Sequence, residues 1–600
     1  MINFIKNNKN IILTSVASIL LAVVVFAIYF DISVVNPLYV DWIDVNFVHS
    51  DVVQAYLGWK YYRFAPWTFP LGLFNTLSYP IYTSIFNTIS IPLFAIPFKI
   101  ISPLLPHNFQ YLGIWGLSCF VFQSLLGMVI AKRYTKNYIL QILTALLFIL
   151  LPVLYVLCFR HCHMVCHYFI LLSFIPFVYD KMTLKQTLWL YGIIGLLVGA
   201  INSYILAMTG IITLFYSIMM FVKTKDFKWF LNVAAFLTPA IVSIYISGGF
   251  NMNAALEDSA DFVYSFNLNG FFNSIGRCKL FSNVPIFLPE QFQNQGTVWQ
   301  SAGFAYYGIG ILALILLSLI TFLIDVIKKK VKIDKVKFIT ILALIIFSIV
   351  VAISPKVTLG DKLLFEIPYP QFVIDIWSIL RVTARFIWIA EYAILISAIS
   401  YIICRFRTKT VILLFVFAII FQVYDLRPLY KNNLHFNPAL LQLMIAKLDS
   451  ENKETDNIFK NNKDIKNIRI GFYTNLTQDK EKIYKLLSVY DNYLLFIAKI
   501  IQDKNILVSN FYFARNLKGI KKQYKTDLKN AKDSDLFIVS NKKGIDNIFK
   551  LSSARYLYRY NSHHKEFIFA RTIPIKGMEN YKNFKPISIN AVNFDRIFRH

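Results

Sequence analysis

The sequence predicts an α-helical polytopic membrane protein with about eleven transmembrane helices, followed by a small C-terminal α/β domain. Three observations predict it. The 600-residue chain is 57% hydrophobic with 16% charged residues, and its mean hydropathy is +0.54, whereas a soluble domain carries about 25% charged residues. The apolar residues come in runs of roughly 17–25, the length a helix needs to cross a bilayer core. Between Lys6 and Arg405, the basic residues gather at every second gap between runs, the bias that keeps a loop on the cytoplasmic side.

The first run, 11–30, follows Lys6 and Lys9 and has no small-residue cleavage pattern after it, so it reads as an uncleaved anchor. A first external loop, 31–108, follows. Its apolar stretch 85–105 holds Pro92, Pro97 and Pro103 and adjoins Pro106, which break a straight helix. Were it to span, Lys132, Arg133 and Lys136 would lie outside. It is therefore expected to lie on, or re-enter, the outer leaflet against protein. Helix two (109–131) runs inward to Lys132 and Arg133, and helix three (138–159) outward to Arg160 and His161. Helix four (164–179) returns to Lys181 and Lys185. Helices five and six turn at Asn202 and come back to Lys223, Lys225 and Lys228. Helix seven (229–247) leads to an external loop, 248–302. Helix eight ends at Lys328, Lys329 and Lys330, and helix nine (338–354) goes out again. Helix ten (382–404) returns to Arg405, Arg407 and Lys409, and helix eleven (411–424) places residues 425–600 outside.

That last segment is polar and rich in Lys and Asn. Stretches 467–473, 535–540 and 566–570 read as strands and 478–501 as an amphipathic helix, giving an extracytoplasmic domain over 425–600 beside a membrane domain over 1–424. The net charge of +28 does not indicate nucleic acid, because much of it sits in short loops where it sets orientation. All six cysteines precede residue 425, so the final domain folds without disulfides.

Candidate chemistry collects on the outward side. Asp51 heads an amphipathic aromatic stretch with Gln54, Trp59 and Arg63. A carboxylate there serves either as a general base for an acceptor hydroxyl or as a helix N-cap, together with Ser50. Arg381 and Arg385 stand at i, i+4, so on a helix both face one way. They would either grip a phosphate or snorkel to lipid headgroups. Cys158, Cys162 and Cys166 alternate with His161, His163 and His167. The ligand types suit zinc or copper, but so short a turn cannot aim all six at one ion. His161 and His167 read instead as phosphate ligands or proton carriers, and no metal or other cofactor is expected. No phosphate-binding glycine loop, nucleophile elbow or zincin helix occurs, so nothing points to a nucleotide-driven pump or a protease.

Several stretches resemble an uncharacterised family of bacterial polytopic membrane proteins related to the GT-C glycosyltransferases. They include Leu57-Gly58-Trp59, Ala65-Pro66-Trp67-Thr68-Phe69-Pro70-Leu71-Gly72, Tyr79-Pro80, Ser90-Ile91-Pro92-Leu93 and Ser102-Pro103-Leu104-Leu105-Pro106. His161 with His167, Tyr307-Gly308-Ile309-Gly310 and Arg381 to Phe386 are similar too. The resemblance covers most of residues 36–400 and does not extend over the C-terminal domain. It implies a GT-C-like architecture with interfacial helices in the first external loop, and a polyprenyl-phosphate-linked sugar as donor. By position Asp51 would be the base, with Arg381, Arg385, His161 and His167 on the lipid phosphate. Two departures are visible. Ile89 stands where an acid is expected, and His49-Ser50 precedes Asp51 in place of a glycine.

The expected function is therefore sugar transfer from a polyprenyl-phosphate carrier to an envelope lipid, glycan or protein, in the cytoplasmic (inner) membrane of a bacterium, with membrane lipids but no nucleic acid as partners. The alternatives are a lipid or polysaccharide flippase or transporter, and a non-catalytic envelope assembly protein.

Overall fold

The computed structural model describes residues 2–44, 50–251, 264–284, 299–330, 333–380, 382–431, 457–470, 506–511, 517–539, 548, 552–554, 556–561, 566–577 and 584–586. The expected helix 478–501 lies outside them. The chain is mostly helical and divides into two compact units. The first holds residues 1–40, 106–244 and 258–436, and the second 41–105, 245–257 and 437–600.

In chain order the elements are α1 (Ile2–Phe30), α2 (Asp41–Asp44), α3 (Ser50–Phe64), β1 (Leu73–Phe74), β2 (Thr83–Ser84) and α4 (Pro92–Ile100). Next come α5 (Leu112–Tyr134), α6 (Tyr138–Ile149), α7 (Pro152–Leu157), α8 (Tyr168–Val178), α9 (Leu184–Gly199), α10 (Ser203–Thr224) and α11 (Leu231–Ile246). They are followed by α12 (Ile309–Ile327), α13 (Lys335–Ile353), the hairpin β3 (Lys356–Leu359) and β4 (Lys362–Glu366), α14 (Gln371–Ile379), α15 (Ile387–Arg405), α16 (Thr408–Asp425) and α17 (Arg427–Lys431). Then come β5 (Asn467–Ile470), β6 (Leu507–Val508), α18 (Ile520–Lys529), β7 (Asp535–Val539), β8 (Tyr556–Asn561), β9 (Glu566–Arg571) and β10 (Phe584–Pro586).

Among the described residues, eight helices are long and apolar enough to cross a membrane, and three further apolar helices are shorter: Tyr138–Ile149, Cys162–Val178 and Leu184–Gly199. The third predicted helix does not run unbroken to 159. It stops at Ile149 and restarts as α7, because the ring of Pro152 cannot continue a helix and suits a first turn. Stretch 85–105 contains only the nine-residue α4 and a 3-10 turn at Ser102–Leu104. At 1.5 Å per residue, α4 is about 14 Å long, under half a bilayer core.

The centre of the helical unit is α15. In the span Thr383–Arg405, 83% of the apolar window is buried inside the protein, against 22–56% for the other candidate spans. Around it, two residues of α16 organise the broken start of α12. Gln422 Oε1 accepts from the Gly310 and Ile311 amides at 3.1 and 3.2 Å, while its Nε2 donates to the Leu150 and Tyr307 carbonyls at 2.9 and 2.8 Å. One turn on, Asp425 Oδ2 accepts from the Tyr306 hydroxyl at 2.7 Å and the Ile309 amide at 3.0 Å, and Oδ1 from the Leu280 amide at 2.8 Å. Orphan groups at helix ends need such partners, and in apolar surroundings water does not supply them. Gly310 lets the helices meet: a Cβ there would sit 1.9 Å from the Ala418 carbonyl oxygen.

The second unit differs from the expected partition. The first loop is not an appendage of the helices but packs with residues 437–600. The Val508 amide donates to the Thr76 carbonyl at 3.0 Å, and the Tyr79 amide to the Val508 carbonyl at 2.8 Å. Arg469, on β5, adds a bond to the Tyr79 carbonyl at 3.2 Å and an ion pair to Asp527 at 3.1 Å. The six-stranded sheet runs β10-β8-β9-β7-β5-β6, parallel around β5 and antiparallel elsewhere. One face buries Tyr524 and Leu528 of α18 against Phe537, Val539, Leu557 and Ile568. Strands were expected at 467–473, 535–540 and 566–570, where β5, β7 and β9 lie.

Gly310→Ala is expected to lower stability by about 1–3 kcal/mol, the usual penalty of forcing atoms into a packed contact. Thermal unfolding of the detergent-solubilised protein checks this, and an unchanged midpoint would contradict the close approach of α12 and α16.

Candidate functional site

The second unit carries Asp51, Gln54, Trp59 and Arg63 on one helix. Asp51 stands half-buried in the first turn of α3, where a carboxylate is favoured by the helix dipole. Gln54, one turn on, is 1% exposed, and its Nε2 meets no acceptor among the described residues. A buried amide without a partner is a rare condition that asks for an explanation.

The rest of α3 is held in place by its neighbours. Gly58 abuts the loop after β2 so closely that a Cβ would come within 2.5 Å of Ser90 Oγ and of Thr88. β2 and that loop bury a run of polar residues, Thr83, Ser84, Asn87, Thr88 and Ser90, with the Thr88 and Ser90 hydroxyls 2.9 Å apart. Ile89 and Ile91 both have φ of 53°. A left-handed backbone at a β-branched residue is strained, by about 1–3 kcal/mol each, and such strain clusters at functional sites. Ile89 is also the position where the resemblance led us to expect an acid.

Arg63 serves as a clamp. Its Nε donates to Ser102 Oγ at 2.6 Å and its Nη2 to the Ser102 and Leu105 carbonyls at 3.0 and 2.7 Å. The guanidinium lies 5.8 Å from the centre of Trp59, whose own ring is buried against Phe98. These contacts fix α3 to the turn after α4, so Arg63 and Trp59 build the scaffold under Asp51 and do not themselves reach out to substrate.

Lys99 was not among the expected site residues. It is 4% exposed, 4.1 Å from the Tyr62 ring centre and 4.5 Å from that of Trp67, with the Pro66 carbonyl at 3.4 Å. Burial pushes its amine down to about 8. A signal was present in the sequence, a lysine inside a proline-rich apolar stretch, but only the fold reveals the aromatic box.

In the helical unit the expected phosphate ligands fare differently. Arg381 lies outside the described residues. Arg385 belongs to a 3-10 turn, Thr383–Phe386, leading into α15. Arg385 is 8% exposed with its guanidinium 4.6 Å from the Tyr204 ring centre. His167 is fully buried, its ring 4.4 Å from Trp388 and its Nδ1 3.1 Å from the Tyr392 hydroxyl. It belongs to the bundle interior and not to a headgroup surface. His161 stays half-exposed, ahead of a 3-10 turn and 6.4 Å from His163. Cys158, Cys162 and Cys166 are buried free thiols that pack as small apolar groups. Among the described residues, no group of three His, Cys, Asp or Glu side chains is placed to hold a metal ion.

A different cationic pair is present in that unit. Arg160 faces Arg277, and burial together with this like charge pushes Arg277 down to about 10. No carboxylate pairs with Arg277 among the described residues. Two guanidiniums close enough to repel favour an anion between them. Nearby, Asn267, Asn273 and Gln300 line a small recess. Their amides are spent on the protein: Asn267 Nδ2 donates to Gln300 Oε1 at 3.0 Å, and Gln300 Nε2 to Thr358 Oγ1 at 2.9 Å.

The depressed Lys99 amine has a consequence for stability. Its folded value lies below the unfolded value near 10.5, so the unfolded chain binds more protons between about pH 8 and 10.5 and stability rises through that window. Lys99→Met is expected to remove this rise, read as thermal midpoint against pH. An identical pH profile in the variant would contradict it.

No protein of curated function matches this chain. Residues 19–427 match a single family pattern described as a domain of unknown function. That match spans more than half of the protein, from within α1 to the end of α16 and including the whole first loop, and the chain accordingly belongs to the DUF6311 family.

Proposed function

We propose that the protein is an integral-membrane glycosyltransferase that takes a sugar from a polyprenyl-phosphate carrier on the outward face of a bacterial inner membrane. The observation that carries the proposal is the second unit: a half-buried acid, Asp51, held on a helix that is clamped by Arg63 and underlain by buried polar side chains. Asp51 acts as base on an acceptor hydroxyl. The hydroxyl attacks the sugar carbon, the bond to the carrier phosphate breaks, and fixed positive charge stabilises the departing phosphate. One displacement inverts the sugar carbon.

The topology of eleven spans is supported by parity. Segments 41–105, 245–257 and 437–600 share one compact unit, so the chain crosses the membrane an even number of times between them. Six apolar helices lie between the first two segments and four between the last two. The basic clusters at Lys132, Lys328 and Arg405 then fall on the opposite side, the cytoplasmic one. Cys404, the exposed cysteine, is expected to react with a membrane-impermeant maleimide only after cells are permeabilised. Labelling in intact cells would reverse the orientation.

A transporter is the second reading, favoured by one observation, the buried carboxyl of Glu391 inside the bundle, since intramembrane ionisable groups often line a path. Asp51→Asn separates the two. It is expected to abolish the glycan product in the cell envelope while the protein still inserts and accumulates. Full product from the variant would remove Asp51 from the chemistry.

A further inference from the structure

Glu391 is fully buried on α15, about 12 Å along the span from Thr383 at 1.5 Å per residue. Neither carboxyl oxygen meets a donor among the described residues. The backbone around it is satisfied: the Tyr307 hydroxyl donates to the Glu391 carbonyl at 3.0 Å, and Trp388 Nε1 to the Phe304 carbonyl at 3.0 Å.

Beside it lies a short polar chain. Gln123 Nε2, from α5, donates to the Tyr392 hydroxyl at 2.9 Å. That hydroxyl is 3.1 Å from His167 Nδ1. With the Gln123 amide already donating to its oxygen, the Tyr392 hydroxyl gives its proton to Nδ1, which leaves the imidazole proton on Nε2. Nε2 is buried with no acceptor among the described residues, and so is Gln123 Oε1. Three side chains from three helices thus converge on one level of the bundle with unused hydrogen-bonding atoms.

An ionised carboxylate without partners in an apolar interior is too costly to persist. Among the described residues no group of three His, Cys, Asp or Glu side chains is placed to hold a metal ion, and a single proton is enough to neutralise one carboxylate. We propose that Glu391 is a proton-binding site, exchanging one proton with water, and that Gln123, Tyr392 and His167 form the polar switch beside it. Uptake converts the carboxylate and a proton into the neutral acid. Release returns the proton to water and leaves a carboxylate that draws the unused His167 Nε2–H. Proton binding is thereby tied to a rearrangement between α15, α8 and α5. Among the described residues, the titratable groups named around the site are Tyr307 ahead of α12, His167 at the start of α8 and Tyr392 on α15 itself. From α13, the Ser348 hydroxyl donates to the Phe386 carbonyl at 2.6 Å. On α16, Gln422 and Asp425 are engaged at the start of α12.

This site is independent of Asp51 and of sugar transfer. Infrared spectroscopy on the full chain in lipid nanodiscs tests it. At neutral pH the wild-type protein is expected to show the carbonyl stretch of a protonated carboxylic acid. That band should disappear in Glu391→Gln, move when glutamate carries a 13C carboxyl, and move again in D2O as the proton exchanges. Tyr392→Phe, which keeps the volume, should shift the band without removing it. If Glu391→Gln fails to fold, the isotope-labelled wild type decides. The absence of a glutamate-dependent protonated band would overturn the proposal, as would a band that survives Glu391→Gln or is unmoved by D2O.

Discussion

The helical unit depends on how two side chains of α16 satisfy backbone that no helix satisfies. Gln422 and Asp425 together take three amides at the start of α12, and Gln422 also serves two carbonyls, one from the Leu150 break and one from Tyr307. In water such groups would be solvated at little expense. Within an apolar layer each unmet group is worth several kcal/mol, so helices can be interrupted here only where a side chain is posted to meet them. The chain then gains what straight helices lack, a rigid set of turns around α15.

That economy makes the exceptions informative. Many buried polar groups of the helical unit have partners, from the cap of Asn202 on α10 to Ser124 donating to the Ser18 carbonyl. Glu391 differs in that neither of its carboxyl oxygens meets a donor among the described residues, and the linked His167 and Gln123 each keep an unmet atom. In the second unit, Gln54 Nε2 meets no acceptor among the described residues, one turn from Asp51.

Much of this was legible in the sequence and some of it was not. Helices such as Ile309–Ile327 and Lys335–Ile353 declare themselves by length and apolarity. The prolines mark 85–105 as no straight helix, and α4 there is nine residues long. The pairing of Val508 with Thr76 and Tyr79 was invisible, because backbone bonds between residues over 400 positions apart leave no local pattern. The setting of Arg385 was hidden for a related reason, since spacing alone does not show that Thr383–Phe386 forms a 3-10 turn ahead of α15. His167 was placed at the surface by its position between two spans, whereas the short, Cys-rich turn folds inward and packs it on Trp388. Glu391 went unremarked since one acid in an apolar run reads as noise until its lack of partners is seen.

The account as a whole rests on the second unit being where a lipid-linked sugar reacts. The most direct measurement supplies purified protein in nanodiscs with a radiolabelled polyprenyl-phosphate sugar and follows the donor. Consumption of the donor, with release of free polyprenyl phosphate and transfer of label to an added envelope extract, is the result expected from wild type. An intact donor under those conditions, alongside passage of a solute or lipid across the bilayer, would contradict it.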